Sequence, residues 1–312
     1  MPLKNDICVV FGALRSGTTM LRLMIDGHPR FVCPGESDYL FDHLVPGENG
    51  TWQYDLDALA ADRIFQAAHI PLPKTEEAIP ALTSMIADLR GPDGGQLVLV
   101  LHRGLERLLQ FAPSIPILHL IRDPRDVARS AIGMGWAGNV FYGAKTWLHT
   151  EMEWEKLAPG LSESQVLDLH YENLLRHPED TLSQFCAFLQ EDYDPAMLEF
   201  PQRSTYNAVD AALAEQWRHK HTPRELGLIE PLFGDLLTKR GYEPSGHPHI
   251  RPGLLDRIKL RGEHSYSVWR RRVARYGLRD PLTVAICWKL GAPVWARSAQ
   301  RRMDTVTEQY LK

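Results

Sequence analysis

Ile7-Cys8-Val9-Val10-Phe11-Gly12-Ala13-Leu14-Arg15-Ser16-Gly17-Thr18-Thr19, running on into Met20-Leu21-Arg22-Leu23-Met24-Ile25, is the stretch on which the fold turns. Five apolar, β-favouring residues come first, then a small polar segment, then apolar residues at helical spacing, which predicts strand, tight loop and helix. The backbone N–H groups of such a loop gather at the helix N-terminus, where unpaired donors and the helix dipole favour an anion. The stretch therefore reads as a phosphate cradle. Gly12 and Gly17 have the spacing of the nucleoside-triphosphate loop G-x-x-x-x-G-K-[ST], but Thr18 stands where that loop has lysine, and the cation comes earlier, at Arg15. A nucleotidase or kinase needs that lysine at the β- and γ-phosphates. The loop is thus suited to an anion other than a magnesium-bound triphosphate.

The chain around it has 312 residues, 44% of them hydrophobic, enough for one large α/β domain with an appendage. No run approaches the roughly 18 apolar residues of a membrane span, and neither signal peptide nor anchor is expected. Cys8, Cys33, Cys186 and Cys287 stand singly in apolar surroundings, the pattern of reduced buried thiols. A cytoplasmic location follows as an expectation. The net charge of −4 conceals an asymmetry: residues 247–312 hold 14 Lys and Arg against 5 Asp and Glu, a surplus of +9, leaving −13 for the rest. With the turn-rich Glu243-Pro244-Ser245-Gly246-His247-Pro248, this predicts a main domain over 1–246 and a basic, mainly helical extension over 247–312.

The first helix is expected to end at Gly27, a natural cap residue, before Pro29. Arg30 to Cys33 reads as a short strand followed by Pro34-Gly35-Glu36, and ligands of parallel α/β sheets bind beyond the carboxyl ends of the strands. Glu36 then lies on the edge that carries the phosphate loop. R-S-G-T-T after a hydrophobic strand resembles the 5′-phosphosulfate loop of sulfotransferases that use 3′-phosphoadenosine 5′-phosphosulfate (PAPS). The order Arg15, His28-Pro29, Gly35-Glu36 resembles the tyrosylprotein branch of that family, whose G-E glutamate is the catalytic base. The resemblance implies that role for Glu36 and donor contacts for Arg15, Ser16, Gly17, Thr18 and Thr19.

Beyond that point, Asp57 to Ala68 and Glu76 to Arg90 read as amphipathic helices, and the aromatic residues Tyr39, Phe41, Trp52 and Tyr54 stand where an acceptor pocket would be lined. Gln96 to Leu101 is a continuous apolar run, as in a buried parallel strand. His102 and Arg103 follow it on the active edge, His102 as an alternative base and Arg103 as a cation for the leaving phosphate. Ile115 to Ile121 is the next strand. Asp123 and Asp126 have a sufficient role as helix caps around Pro124, whereas Arg122 and Ser130 match the family's 3′-phosphate motif. Trp147 and Trp154, seven apart on a helix, read as core. Tyr171 opens Tyr-Glu-Asn-Leu after the strand Val166 to His170 and resembles the family tyrosine near the adenine. Ser204 resembles a donor-contacting serine, but Gln216 replaces the family lysine before Trp217, with Arg218 or Lys220 as substitutes.

The resemblance covers residues 7–246. It implies an α/β fold, a three-layer parallel sheet flanked by helices of the P-loop NTPase-like sulfotransferase type, with a C-terminal helical extension. The reaction implied is metal-free sulfuryl transfer from PAPS, leaving 3′,5′-phosphoadenosine (PAP), to a hydroxyl-bearing acceptor. Ser37-Asp38-Tyr39-Leu40 lacks the arginine that meets acidic peptides in the tyrosylprotein branch, which favours a non-peptide hydroxyl (small molecule, glycan or lipid) over the alternative, peptide tyrosine. A nucleotide kinase and a non-catalytic PAP-binding protein are the readings from other classes. No nucleic-acid partner is expected. In the tail, Trp269, Val273 and Tyr276 at helical spacing beside Arg270-Arg271-Arg272 and Arg275, then Leu282 to Trp288, suit either packing on the acidic main domain or peripheral contact with an anionic membrane.

Overall fold

Strand β1 (Ile7–Gly12) is apolar at every position because both of its faces are covered. The structure, a computed structural model, describes residues 6–47, 50–92 and 94–311. After β1 come β2 (Phe31–Val32), β3 (Leu44–Pro46), β4 (Trp52–Tyr54), β5 (Gln96–Leu101), β6 (Ile117–Ile121) and β7 (Val166–His170). Five of them form one sheet in the order β2-β5-β1-β6-β7, every pairing parallel. β3 and β4 form a separate antiparallel pair. The chain folds as two compact units, Met1–Asp123 with Trp147–His219, and Pro124–Thr146 with Lys220–Lys312.

The sheet belongs to the first unit, and side-chain alternation sends its residues into two cores. Val9, Phe11, Leu97, Leu99 and Leu101 pack with helices Ala78–Arg90 and Leu105–Phe111. Cys8, Val10, Val98, Val100, Leu118 and Leu120 pack with helices Thr18–Ile25 and Pro178–Phe188. Helix, sheet and helix are the three layers that the sequence predicts. Trp147 and Trp154 are both core residues.

Three local expectations are corrected. Helix Thr18–Ile25 is capped by Asp26 in a right-handed conformation. Gly27 is required for a different reason: a Cβ there would sit 2.7 Å from the Ala196 carbonyl oxygen, in the 3-10 segment Pro195–Gln202. The span 57–68 holds two short helices, Leu56–Ala60 and Arg63–Ala67, because the Asp62 carboxylate accepts from the Ile64 and Phe65 amides and starts a new helix. Tyr39, Phe41 and Tyr54 do not line an acceptor pocket; they are at most 2% exposed and lie in the sheet's core, and the Tyr54 hydroxyl donates to the Leu40 carbonyl at 2.6 Å.

In the second unit, buried Arg125 donates through Nη1 to Glu230 Oε1 at 2.8 Å and to the Glu243 carbonyl at 2.9 Å. Ser245 Oγ donates to the other Glu230 oxygen. These bonds pin the Glu243-to-Ser245 turn to helix Pro223–Phe233; removing one partner from such a buried pair costs about 3–5 kcal/mol. The tail forms helices Leu254–Tyr276, Arg279–Lys289 and Pro293–Leu311. Trp269, Val273 and Tyr276 are half-buried, with the Tyr276 hydroxyl 2.9 Å from Thr307 Oγ1 of the last helix. On the same helix Leu255, Ile258 and Tyr266 are exposed, at 81%, 61% and 67%. The side chain of Trp288 lies outside the described part. No helix of the described residues is long and apolar enough to cross a membrane.

Candidate active site

The loop between β1 and helix Thr18–Ile25 turns tightly, the Ser16 amide donating to the Ala13 carbonyl at 3.0 Å. Arg15 sits at φ 75° and Gly17 at φ 94°. Left-handed backbone costs a non-glycine residue about 1–2 kcal/mol, a strain that persists at sites where the surroundings impose it. Gly17 is there for two reasons, its φ and the ring of Tyr171, which any added Cβ would overlap. Tyr171 is 6% exposed and opens helix Tyr171–Arg176 directly after β7. Over its ring, at 4.3 Å, lies the guanidinium of Arg122 from the end of β6, and Arg122 Nη1 donates to the Arg15 carbonyl at 2.8 Å. The carboxyl ends of β1, β6 and β7 thus deliver Arg15, Arg122 and Tyr171 to one place.

The electrostatics of that place call for an anion. Burial is the main cause lowering the Arg15 guanidinium from its ordinary value; Tyr206 opposes it, and the like charge of Arg122 lowers it further. Helix Thr18–Ile25 has neither a side-chain cap nor an acidic residue in its first turn, so its leading amides and dipole remain available. Ser16 Oγ and Arg122 Nε are buried without a hydrogen-bond partner among the described residues. Unpaired donors beside a helix N-terminus and a guanidinium favour an oxyanion.

Glu36 lies beyond β2, where the chain makes an isolated parallel bridge to Val100 of β5, one residue out of the β2–β5 register, and the Ser37 amide donates to the Val100 carbonyl at 2.8 Å. The residue is half-buried, and its charge acts on Arg15. His102 follows β5 and is 3% exposed. Its Nδ1 is 2.9 Å from Asp38 Oδ2 and its Nε2 3.2 Å from Thr18 Oγ1. Arg103 is engaged with Asp42 through Nε and Nη2 and lies 3.7 Å from Asp38 Oδ2, so its fork serves two carboxylates.

The remaining predicted residues are more dispersed. Thr19, half-buried, is in the first turn of the loop's helix. The Ser204 hydroxyl donates to the Phe200 carbonyl at 2.9 Å and accepts from the Tyr206 amide, closing a local turn. Arg218 pairs with Glu215 and stacks on Trp217. Ser130 lies on helix Pro124–Gly133, in the second unit, as does Lys220. Sequence reasoning missed Asp38. The available signal was a carboxylate two residues past Glu36 on the active edge, facing a histidine 64 residues on.

Comparison with known proteins bears on the family and the fold. Residues 8–195 match the model of the sulfotransferase family. Protein-tyrosine sulfotransferase A of Caenorhabditis elegans is 26% identical over 61% of this chain and 51% of its own length, and protein-tyrosine sulfotransferase 1 of Danio rerio is 22% identical over 78% and 75%. Among solved structures, the sulfotransferase domain from the curacin biosynthetic pathway superposes with a TM-score of 0.59 at 19% identity, over 76% of this chain and 98% of that domain. The sulfotransferase domain of the Synechococcus PCC 7002 olefin synthase gives 0.58 at 20%, over 76% and 94%. At such identities these likenesses speak to the fold, which is that of sulfotransferases. With more than half of its length matching the family model, the chain belongs to the sulfotransferase family.

Proposed function

We propose that this chain transfers a sulfuryl group from PAPS to an acceptor hydroxyl, with the loop Arg15–Thr19 as the seat of the donor's 5′-phosphosulfate. The observation that carries the reading is Arg122 bonded to the Arg15 carbonyl beside an uncapped helix N-terminus, with a buried Ser16 hydroxyl that has no hydrogen-bond partner among the described residues. Glu36 takes the acceptor's proton as the acceptor oxygen bonds to sulfur. The bond from sulfur to the phosphate oxygen breaks, and the charge that develops on PAP is met by Arg15, the loop amides and Arg122. Tyr171 holds Arg122 in position from below. Ser130 and Ser204 are assigned to the donor on the resemblance of their motifs alone.

For the acceptor we favour a non-peptide hydroxyl. Ser37, Asp38, Tyr39 and Leu40, which follow Glu36, are all at most 1% exposed, so this segment turns into the core and offers no cation to an acidic peptide. Peptide tyrosine is the second reading, favoured by the names of the curated relatives. Treating cell extracts with the protein and isotopically labelled PAPS, then searching by mass spectrometry for products heavier by one sulfate, tests both. Sulfated small molecules, glycans or lipids are expected; sulfotyrosine peptides alone would reverse the acceptor, and no sulfated product would defeat the activity.

The tail suits a lipid surface. Leu255, Ile258 and Tyr266 share one face of helix Leu254–Tyr276; exposed Lys259 and Arg270 flank it on one side, where Glu263 and Asp256 also lie, and Arg261 and Arg272 flank it on the other. An apolar stripe flanked by these four basic residues matches an anionic headgroup layer, each basic residue near the surface contributing about 1 kcal/mol. Co-sedimentation with phosphatidylserine vesicles at low salt is expected, and Ile258→Glu should weaken it. Protein left wholly in the supernatant would end this idea.

A further inference from the structure

Asp38, His102 and Thr18 form a chain of hydrogen bonds ending inside the anion loop. Asp38 Oδ1 accepts the backbone amides of His102 at 2.8 Å and Arg103 at 3.2 Å, and its Oδ2 faces His102 Nδ1 at 2.9 Å. The Asp38 and His102 side chains are 1% and 2% exposed. Burial alone would raise the Asp38 carboxyl, but the hydrogen bond and charge of His102, and then the charge of Arg103, hold it below its ordinary value. The His102 carbonyl accepts Thr150 Oγ1 at 2.9 Å, which fixes that backbone. Against an ionised carboxylate Nδ1 carries a proton, so the freedom left in the ring is at Nε2.

Nε2 faces Thr18 Oγ1 at 3.2 Å. Thr18 is the first residue of the loop's helix and is 4% exposed. A hydroxyl has one proton to give. When the ring is neutral, Nε2 accepts that proton's hydrogen bond, and Thr18 offers the loop only lone pairs, which repel an oxyanion. When the ring is an imidazolium, Nε2 donates to Oγ1, and the Thr18 O–H is released to point at the anion. Among the described residues, the charged groups joined to the ring by hydrogen bond or ion pair are Asp38 and, behind it, Arg103 held by Asp42; Thr18 and Thr150, from the loop and from helix Val140–Leu157, are neutral.

We infer that Asp38 and His102 are positioning residues that set the direction of the Thr18 hydroxyl, and that filling the anion loop with a phosphoanion draws one proton from solvent onto His102 Nε2. This rests on the reading of the loop as the seat of the donor. His102 then serves the donor side of the reaction, and Glu36 keeps the acceptor's proton to itself.

The test is calorimetric titration of PAP into the full chain at pH 7.5, in two buffers of different ionisation heat that carry neither phosphate nor sulfonate. The buffer dependence of the observed heat gives the protons taken up. Wild type is expected to take up close to one proton beyond the uptake of His102→Gln, the variant providing the background due to PAP's own phosphates. Thr18→Val should lose the same proton and bind PAP about tenfold or more weakly, as loss of a hydrogen bond to a charged group does. Equal uptake by wild type and His102→Gln overturns the inference while leaving the donor site standing; failure of wild type to bind PAP at all defeats both. Should the variants not fold, the His102 ring is followed by NMR in wild type with and without PAP, where an unchanged protonation state overturns the inference equally.

Discussion

Replacing Gly17 by alanine strikes the loop at its tightest point. Two costs are expected. The backbone at φ 94° is left-handed, which costs an alanine about 1–2 kcal/mol. The new methyl would also overlap the Tyr171 ring, and relieving such overpacking typically costs about 1–3 kcal/mol more. The total, about 2–5 kcal/mol, is a large share of the 5–15 kcal/mol that usually separates folded from unfolded chains. Because the ring that must move also supports the Arg122 guanidinium at 4.3 Å, PAP affinity should fall with stability. Urea unfolding of wild type, Gly17→Ala, Tyr171→Ala and the double variant separates the terms. Removing the ring relieves the overlap but not the backbone strain, so the cycle should return a coupling of about 1–3 kcal/mol and leave about 1–2 kcal/mol uncoupled. Full stability in Gly17→Ala, or zero coupling to Tyr171, would refute the account of the loop.

Arg15→Ala and Arg122→Ala should each weaken PAP binding by about 1.5–3 kcal/mol, since each leaves an anion without a charge-assisted partner; calorimetry showing tight binding by both, or ATP bound more tightly than PAPS, contradicts the donor assignment. Glu36→Gln should keep the fold and PAP affinity but lose about 100-fold or more in turnover, and an active Glu36→Gln beside an inactive His102→Ala would move the base to His102. His119 is fully buried on β6 between Glu151 at 3.2 Å and Asp168 at 3.1 Å. Burial alone would lower its imidazole, but the hydrogen bonds and charges of Asp168 and Glu151 raise it above the ordinary value. Its stabilisation is therefore complete below the unfolded value of about 6.5 and is lost as pH rises through the folded one. Tm should fall between neutral and alkaline pH in wild type and less so in His119→Gln; equal slopes would show that the triad does not bear on stability.

Much of the fold was legible because its signals are local. The β1-loop-helix stretch, the apolar run of β5 and the paired Arg122 and Asp123-Pro124 each announce themselves within a short continuous stretch of sequence. What was not legible depends on partners distant in sequence. Asp38 meets His102 across 64 residues, and nothing near either residue says that the second ring nitrogen is committed to Thr18. Tyr39, Phe41 and Tyr54 were assigned to a pocket by their aromatic character, whereas Tyr39, Leu40 and Phe41 are buried in succession in a single helical turn, Tyr39–Asp42, that leaves only Asp42 partly open. Asp62 carries an ordinary cap signal, which the apolar periodicity across 57–68 masks.

The four cysteines have a practical consequence. Burial pushes the Cys8 thiol up to about 12 and that of Cys186 up to about 11, and it raises Cys33 as well. Alkylation requires a thiolate that reagent can reach, and Cys287 differs from the other three in being half-buried, on helix Arg279–Lys289. A maleimide at neutral pH should therefore label Cys287 selectively in the unmutated chain. A fluorophore attached there belongs to the tail and to the unit that does not hold the anion loop, where its emission can report vesicle contact without altering a residue of the donor site.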